Sequence, residues 1–308
     1  MTVSIIVPCY NSVRYIMSCI VSLLAQSYHQ WEAIFINDGS IDNTLDLLIN
    51  YSCQDQRIKV YSQPNQGAAK ARELGISKAT GDYITFLDVD DTLPADALEK
   101  MVNAFDENVD IVVSGFNIVK RNKIVKRKTL QRGELDNLTY LKRVLSGKCG
   151  WELWAKMYRR ELFLQPIKTP EGIRIGEDAS VFIQLVIYAK RIRILSEKLY
   201  NYIQYSESAS HTKSSKYAEE TLQAAFFIDT ILKNTTLYED MKREIDAMFL
   251  LFYSNSTRRS ILSKRHPLLK KLKMEHFSIK SLSKIPFHKA IYVIISYYIR
   301  TVIIPSKS

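Results

Sequence analysis

The sequence runs Tyr83-Ile84-Thr85-Phe86-Leu87-Asp88-Val89-Asp90-Asp91 at the point that decides its fold. The aromatic and β-branched residues of this stretch predict a buried strand, and carboxylates end it abruptly. In an α/β sheet, side chains at the carboxyl end of a strand face the crevice in which such folds bind ligands. We therefore expect a ligand site where this strand ends.

The spacing of Asp88 and Asp90 suits a metal ion. Two carboxylates separated by one residue can converge on a hard cation, Mg²⁺ or Mn²⁺, through oxygen ligands. A cation held by these two groups keeps positions open for the phosphates of a nucleotide. The alternative is a polar strand end followed by a helix start, because Asp91-Thr92 before Pro94 suits a first helical turn. An Asp-x-Asp alone is compatible with both interpretations.

The composition bounds the domain organisation. The chain of 308 residues is long enough for one large domain, or for a domain with an extension, and 46% hydrophobic residues support a sizeable core. The four cysteines lack Cys-x-x-Cys spacing and are typical of reduced thiols in a cytosolic protein. The N-terminus enters a strand directly, which predicts no signal peptide and a cytoplasmic location.

The net charge of +11 lies entirely in the C-terminal segment. Twelve Lys and Arg residues follow Ser256, and Glu275 is the single acid among them. A basic block of this kind indicates anionic lipid or nucleic acid as a partner, or a solvated face.

Strands and helices alternate over the first part of the chain. The predicted strands are 3–8, 32–37, 58–61, the stretch from Tyr83 and 110–114, and the predicted helices between them are 14–25, 44–51, 68–79 and 94–105. This order implies parallel βαβ units with right-handed crossovers. Asp38 and Asp88 then fall at the same edge of one sheet.

Neither of the common phosphate-binding loops is present. The place of a dinucleotide fingerprint reads Val7-Pro8-Cys9-Tyr10-Asn11-Ser12, and no Walker A sequence occurs. With 10 Gly residues in the whole chain, a glycine-rich cradle for phosphate is not expected. A metal must then neutralise the phosphates, which favours the metal interpretation of Asp88 and Asp90.

Four ordered motifs carry a resemblance to a known family. They are the segment 3–11 (VSIIVPCYN), Asn37-Asp38-Gly39-Ser40, the segment 65–72 (NQGAAKAR) and Leu87-Asp88-Val89-Asp90-Asp91. In order and spacing they resemble the family 2 inverting glycosyltransferases of the bacterial surface-polysaccharide type, over roughly the first 210 residues. The resemblance implies the GT-A fold, an α/β, Rossmann-like and mostly parallel sheet flanked by helices, here with a helical basic C-terminal extension.

The resemblance also implies an activity and partners. A metal-dependent hexosyltransferase of this type, using Mn²⁺ or Mg²⁺, moves a sugar from a nucleotide diphosphate sugar, commonly a UDP-sugar, to a hydroxyl of a saccharide or lipid-linked acceptor. No nucleic-acid partner is expected. A sugar nucleotidyltransferase needs a glycine-rich N-terminal loop, which is missing. An inactive scaffold is the remaining alternative, and the four intact carboxylates argue against it: Asp38, Asp88, Asp90 and Asp178.

By the same resemblance, roles are expected for several residues. Asp88 would serve the ribose and the metal, Asp90 would be the principal metal ligand, and Arg72 would face the nucleotide. The nucleoside pocket would be lined by Pro8, Tyr10, Asn11 and Asp38. From the residues alone, Asp38 could also be a turn former in Asn-Asp-Gly-Ser, and Arg72 a cation of the helix surface.

The acceptor half and the catalytic base are expected further along the chain. The resemblance places the W-x-K-x-Y stretch with Trp154 and Lys156 in the acceptor half, although two Trp residues are more often core. It makes Asp178 the base that takes the acceptor proton, with Glu177 in support. Acids in a first helical turn are also expected from the helix dipole alone.

One position departs from the family pattern. Gln204-Tyr205 stand where the family often has an Arg, and His211, Lys213 and Lys216 are the cations that could replace it.

The rest of the chain completes the predicted organisation. A hairpin with a basic tip is predicted at 116–130, a helix at 135–145, a strand at 199–205, and helices at 217–232 and 237–261. The apolar segment 290–304 is shorter than the roughly 20 residues that span a bilayer. It could lie in a membrane interface, peripherally on the inner face, or dock on the core. The predicted domains are a GT-A domain at 1–212, with a nucleotide-binding half at 1–115 and an acceptor half at 116–212, and the extension at 213–308.

Overall fold

The computed structural model describes residues 1–121, 123–205, 214–259, 266–272 and 274–298. The chain divides into two compact units. The first, here the sheet unit, comprises Met1–Asn137, Glu152–Ile167 and Tyr188–Glu207. The second, the helical unit, comprises Leu138–Trp151, Lys168–Ile187 and Ser208–Ser308. The domain boundary at 212 stays a prediction.

The described part of the sheet unit contains one mixed sheet of nine strands. The strands are β1 (Val3–Cys9), β2 (Trp31–Asp38), β3 (Ile58–Gln63), β4 (Tyr83–Phe86), β5 (Ile111–Lys120), β6 (Lys123–Lys128), β7 (Gly133–Asp136), β8 (Lys156–Arg159) and β9 (Arg191–Ile203). Their order is β3-β2-β1-β4-β8-β5-β9-β7, with β6 paired to β5. The prediction of an α/β, mostly parallel sheet flanked by helices is confirmed.

The parallel strands of the sheet determine which edge carries the candidate site. β1 pairs in parallel with both β2 and β4, and β2 pairs in parallel with β3. The core strands β1 and β2 are buried along nearly their whole length, as expected for parallel strands covered on both faces. The carboxyl ends of β1, β2 and β4 therefore meet at one edge.

Helices cover both faces of this sheet. They are α1 (Val13–Leu24), α2 (Thr44–Gln54), α3 (Ala68–Lys78) and α4 (Ala97–Val102). Apolar side chains of α1, α2 and α4 share one core with Val3, Ile5 and Val7. On the opposite face, Gly75 of α3 approaches so closely that a Cβ there would lie 2.5 Å from Ile6. A larger residue at position 75 would push α3 away from the sheet.

The fifth predicted strand is not the parallel neighbour of the fourth. β8 lies between β4 and β5 and runs antiparallel to both. Neither β8 nor β7 was predicted from the sequence. β7 occupies Gly133–Asp136, so the helix predicted to begin at residue 135 begins at Asn137 instead. β4 ends at Phe86 rather than at Asp91, because the chain turns there and the amide of Asp91 donates to the carbonyl of Asp88 at 2.9 Å.

The helical unit is built from helices that pack around α8. Its helices are α5 (Asn137–Leu145), α6 (Glu177–Tyr188), α7 (Ser215–Lys233), α8 (Lys242–Arg259), α9 (Pro267–Lys271), α10 (Ile279–Leu282) and α11 (Phe287–Tyr298). The first residue of α5, Asn137, and the last residue of α6, Tyr188, belong to the sheet unit. A core of α7, α8 and α11 residues includes Leu222, Leu250 and Val293. Residues 299–304 of the predicted apolar segment lie outside the described residues. Within the described ranges, no helix is both long enough and apolar enough to cross a membrane.

Candidate functional site

The loops after β1 and β2 are joined to each other at the carboxyl edge of the sheet. Asn11 adopts a left-handed backbone with φ of 48°, a conformation that Asn tolerates better than most residues. Its amide donates to Ser40 Oγ at 3.0 Å, and its side-chain oxygen accepts from the amide of Ile41 at 3.0 Å. These bonds hold the Pro8–Asn11 segment against the second loop and leave the ring of Tyr10 50% exposed at this edge.

Asp38, at the end of β2, organises the loop that leads into α3. It is 3% exposed. Its Oδ1 accepts from Gln63 Nε2 at 2.7 Å and from the amide of Gln66 at 2.8 Å, and its Oδ2 accepts from the amide of Gly67 at 2.8 Å. A carboxylate has about four acceptor positions, so these three bonds leave one for a ligand. The predicted contact with a base or ribose stays a prediction.

Arg72 and Asp88 form an ion pair at the same edge. Arg72 Nη2 donates to Asp88 Oδ1 at 3.2 Å, and the side chains are 9% and 30% exposed. The alternative that Arg72 is a cation of the helix surface is therefore wrong. The guanidinium reaches the first carboxylate after β4, and the predicted contact of Arg72 with a nucleotide stays a prediction.

The carboxylates after β4 repel one another. Burial and then the charge of Asp88 raise the pKa of Asp90 to about 6. Burial, Asp88 and Asp90 raise the pKa of Asp91 well above its usual range. A divalent cation would relieve this repulsion, and carboxylate oxygens are the donors that Mg²⁺ and Mn²⁺ prefer, so the residues present fit such an ion. No cluster of three or more His, Cys, Asp or Glu with metal-site geometry occurs in the described ranges.

Asp91 anchors the loop after β4 to β9. Its Oδ2 accepts from the hydroxyl of Tyr200 at 2.7 Å, and its Oδ1 accepts from the amide of Ile203 at 2.7 Å. The same hydroxyl accepts from the amide of Asp88 at 3.2 Å. Asp91 does not begin a helix, since α4 starts at Ala97 with Asp96 as its N-cap residue. Sequence reasoning missed this role, because the partners are more than a hundred residues away.

Trp154 and Lys156 lie in the sheet unit. Lys156 is the first residue of β8, and Trp154 lies just before that strand. The indole stacks on Tyr200 and Tyr202 at centroid distances of 4.7 and 5.6 Å, and Phe116 meets it edge-on at 4.8 Å. Lys156 is 2% exposed and donates to the carbonyl oxygen of Glu152 at 2.5 Å. These contacts fix the turn before β8, and the acceptor-side roles stay predictions.

Glu177 and Asp178 occupy the first turn of α6 in the helical unit, where both are half-buried. The loop before them is fixed at several points. Gln184 holds both backbone groups of Lys168, with its Oε1 2.9 Å from the amide and its Nε2 2.7 Å from the carbonyl oxygen. The amide of Arg174 donates to Glu220 Oε2 at 3.0 Å.

Gly176 brings this loop close to α7. Its φ is 97°, and a Cβ there would lie 2.6 Å from the Cβ of Ala224. Both the backbone conformation and the close approach require glycine. Glu220 and Gly176 thus orient the start of α6, and the Gly before Glu177-Asp178 is the sequence signal that could have indicated it.

The predicted replacements for the family arginine are only partly described. His211 and Lys213 lie outside the described residues, and Lys216 is exposed in the first turn of α7. At the end of β9, Tyr205 packs on Tyr15 with ring centroids 4.7 Å apart.

Comparisons with known proteins agree with the fold. The family described as Glycosyl transferase family 2 matches residues 4–170. A relative from Bacillus subtilis, the uncharacterized glycosyltransferase EpsJ, is 32% identical over 233 residues, covering 73% of this chain and 67% of EpsJ. The cholesterol galactosyltransferase of Borreliella burgdorferi is 28% identical over 264 residues, covering 82% of this chain and 73% of its own length.

Solved structures show the same fold. S. aureus TarS 1-349, crystallised in complex with UDP, has a TM-score of 0.66 at 22% identity and covers 97% of this chain and 87% of its own. The mannosyltransferase PcManGT from Pyrobaculum calidifontis, in complex with GDP-Man and Mn²⁺, has a TM-score of 0.58 at 14% identity. The match covers 98% of this chain and 88% of the PcManGT chain.

Proposed function

This chain belongs to glycosyl transferase family 2, and we propose that it is an inverting, metal-dependent transferase that moves a sugar from a UDP-sugar to an acceptor hydroxyl. The observation that carries the proposal is the placement of Asp38, Asp88 and Asp90 at the carboxyl ends of β2 and β4, the two parallel neighbours of β1, with Arg72 paired to Asp88. UDP as the nucleotide is supported by the complex of TarS, and GDP by that of PcManGT.

Donor binding is assigned to the sheet unit. Asp38 would accept a hydrogen bond from the nucleoside with its remaining acceptor position, beside the exposed ring of Tyr10. Arg72 would orient Asp88 through their ion pair. Asp88 and Asp90 would hold Mn²⁺ or Mg²⁺, and the bound cation supplies positive charge that stabilises the departing diphosphate.

Proton abstraction is assigned to Asp178, with Glu177 in support. In a single displacement, the acceptor oxygen attacks the anomeric carbon from the face opposite the diphosphate, while the base takes the hydroxyl proton. One displacement inverts the anomeric centre. The loop before α6, anchored by hydrogen bonds at Lys168 and Arg174, suits this task, because a general base must be held within hydrogen-bond reach of the proton.

The acceptor is a saccharide or a lipid-linked sugar in surface polysaccharide synthesis. The galactosyltransferase relative, whose acceptor is cholesterol, supports a hydroxyl carried by a lipid. Trp154 is partly exposed beside Tyr200 and Tyr202 and is the acceptor-side candidate, because aromatic faces suit sugar rings.

A donor panel tests the proposal. The wild-type protein, with Mn²⁺, is incubated with UDP- and GDP-sugars, and release of nucleotide is measured. We expect release from one donor, its loss in a chelator, and its recovery when Mn²⁺ or Mg²⁺ is restored.

Matched variants locate the activity. Asp90→Asn should abolish release, and Asp96→Asn, at a carboxylate whose side chain is 47% exposed and pairs with Lys100, should leave it unchanged. Full activity in a chelator, or in Asp90→Asn, would contradict the assignment of Asp88 and Asp90 as ligands of a required metal ion. No release from any donor would sink the proposed transfer.

A further inference from the structure

An apolar face of the C-terminal helix α11 is exposed. Phe287 is 79% exposed, and Ile291, Ile294 and Ile295 are 41%, 52% and 52% exposed. Their spacing from Phe287, at four, seven and eight residues, places all of them on one side of the helix. We call these four residues the α11 apolar face. Contiguous exposed apolar side chains of this kind mark an interaction surface.

The other side of α11 is already packed. Ala290 and Val293 are 8% and 0% exposed, in the core shared with α7 and α8. The ring of Tyr297 lies 4.5 Å from that of Phe277. The helix is therefore held by the helical unit, and the α11 apolar face is displayed on a fixed support.

The charges in this segment have one sign. After Glu275 the sequence contains no Asp or Glu, whereas Lys280, Lys284 and Lys289 fall just before and within α11. Lys284 pairs with Glu244 of α8 at 2.7 Å, and Lys280 is exposed. Apolar residues combined with cations are what an interfacial helix uses to bind anionic lipid.

We propose that the α11 apolar face binds an anionic lipid surface, with the helix lying along the headgroup region. A second copy of this chain is the poorer occupant, because two such faces would bring cations together. This inference goes beyond the transfer reaction and depends on none of its residues. It would hold the enzyme peripherally at a surface where lipid-linked acceptors lie.

Vesicle flotation tests the inference with the full chain. Wild type is mixed with vesicles of phosphatidylcholine and phosphatidylglycerol, or of phosphatidylcholine alone, at about 0.05 M and about 0.5 M salt. We expect flotation with the anionic vesicles at low salt, and a loss of at least about tenfold on raising the salt or omitting the anionic lipid.

A triple variant and a matched control distinguish binding by the α11 apolar face from nonspecific adsorption through exposed apolar residues elsewhere. Phe287→Ser/Ile291→Ser/Ile294→Ser should lower flotation at least about tenfold. The control is Met17→Ser/Val21→Ser/Leu24→Ser, which removes three similarly spaced exposed apolar residues of α1 (61%, 56% and 42% exposed) that have a single basic residue, Arg14, nearby in sequence. It should float as wild type does. Thermal unfolding and donor hydrolysis verify that both variants fold.

The outcomes that overturn the inference are specific. They are wild type that does not float, equal flotation with neutral vesicles, a triple variant that floats like wild type, or equal losses in both variants. A concentration-dependent dimer in light scattering that only the α11 variant abolishes would identify a second copy as the occupant. Donor hydrolysis in solution is independent of all these results, so a failure here leaves the proposed function standing.

Discussion

The hydroxyl of Tyr200 links the carboxylate of Asp91 to the backbone amide of Asp88 in the loop after β4. It accepts from the amide of Asp88 and donates to Asp91, and its ring supports Trp154. Tyr200→Phe removes both bonds but keeps the ring. A buried carboxylate that loses one partner costs about 1–3 kcal/mol, so we expect UDP binding in Mn²⁺ to weaken roughly fivefold or more.

Calorimetric titration of UDP with Mn²⁺ measures this effect, and thermal unfolding reports the accompanying loss of stability. Tyr188→Phe, a 40% exposed tyrosine at the end of α6, is the control and should bind as wild type does. Unchanged affinity in Tyr200→Phe would show that the contact with β9 does not position the loop after β4.

Individual residues divide into those that sequence could identify and those it could not. Period and spacing placed Asp38, Asp88 and Asp90 at the ends of predicted strands, where the structure also has them, while their roles come from the family resemblance and stay predictions. Tyr200 and Glu220 act on residues far away in the chain, and only folding brings them there. For Asp91 a helix start was one alternative, because its neighbours in sequence allow that interpretation.

Glu32 joins three elements at the edge of the sheet opposite the site. Its Oε1 accepts from Ser4 Oγ of β1 at 2.6 Å and from the amide of Thr80, ahead of β4, at 2.7 Å, and its Oε2 contacts Lys59 Nζ of β3 at 2.5 Å. Burial would raise the pKa of Glu32, but the hydrogen bonds from Lys59, Ser4 and Thr80 outweigh it and lower the pKa to about 2. The charged form therefore stabilises the native sheet.

The expected consequence of Glu32→Gln is a lower free energy of unfolding at pH 7, by about 1–3 kcal/mol. Because the native pKa is depressed, the stabilisation is complete above the unfolded pKa near about 4.3 and is lost as the pH falls toward the native value. Urea unfolding of both proteins from neutral pH down to about 3 measures the difference, which should shrink below about pH 4.3.

A control variant and a kinetic measurement distinguish an effect on the stability of the sheet from an effect on the candidate site. Glu73→Gln, in an exposed pair with Lys70, should change stability by less than about 1 kcal/mol. The rate of donor hydrolysis should be unaffected by Glu32→Gln. A difference between wild type and variant that is independent of pH would contradict the ionic account.

The order of elements was predictable where contacts are local. Hydrophobic period located β1 to β4 and the helices between them, and β1, β2 and β3 pair with strands one βα unit away, whereas β4 pairs with β1. β8 was not predictable, since four residues with mixed polarity become a strand only when β4 and β5 flank them. β7 is equally short and gains its partner, β9, from much later in the chain.

For the whole molecule, the charge excess and the proposed chemistry belong to different parts of the chain. The sequence outside the basic tail has balanced charge, and the tail includes α11 with its apolar face. The proposal assigns donor binding to residues of the sheet unit and proton abstraction to Asp178 of the helical unit. Rate and donor affinity should therefore respond to different substitutions.

Asp178→Asn tests this central claim most directly, with Asp240→Asn, an exposed aspartate of the helical unit, as the control. The measurement is kcat for sugar transfer together with the dissociation constant for UDP in Mn²⁺. The account predicts a fall in kcat by roughly 10² to 10⁴, the range for losing a general base, with UDP affinity nearly unchanged. Transfer at the wild-type rate in Asp178→Asn, or a collapse of UDP affinity along with the rate, would contradict it.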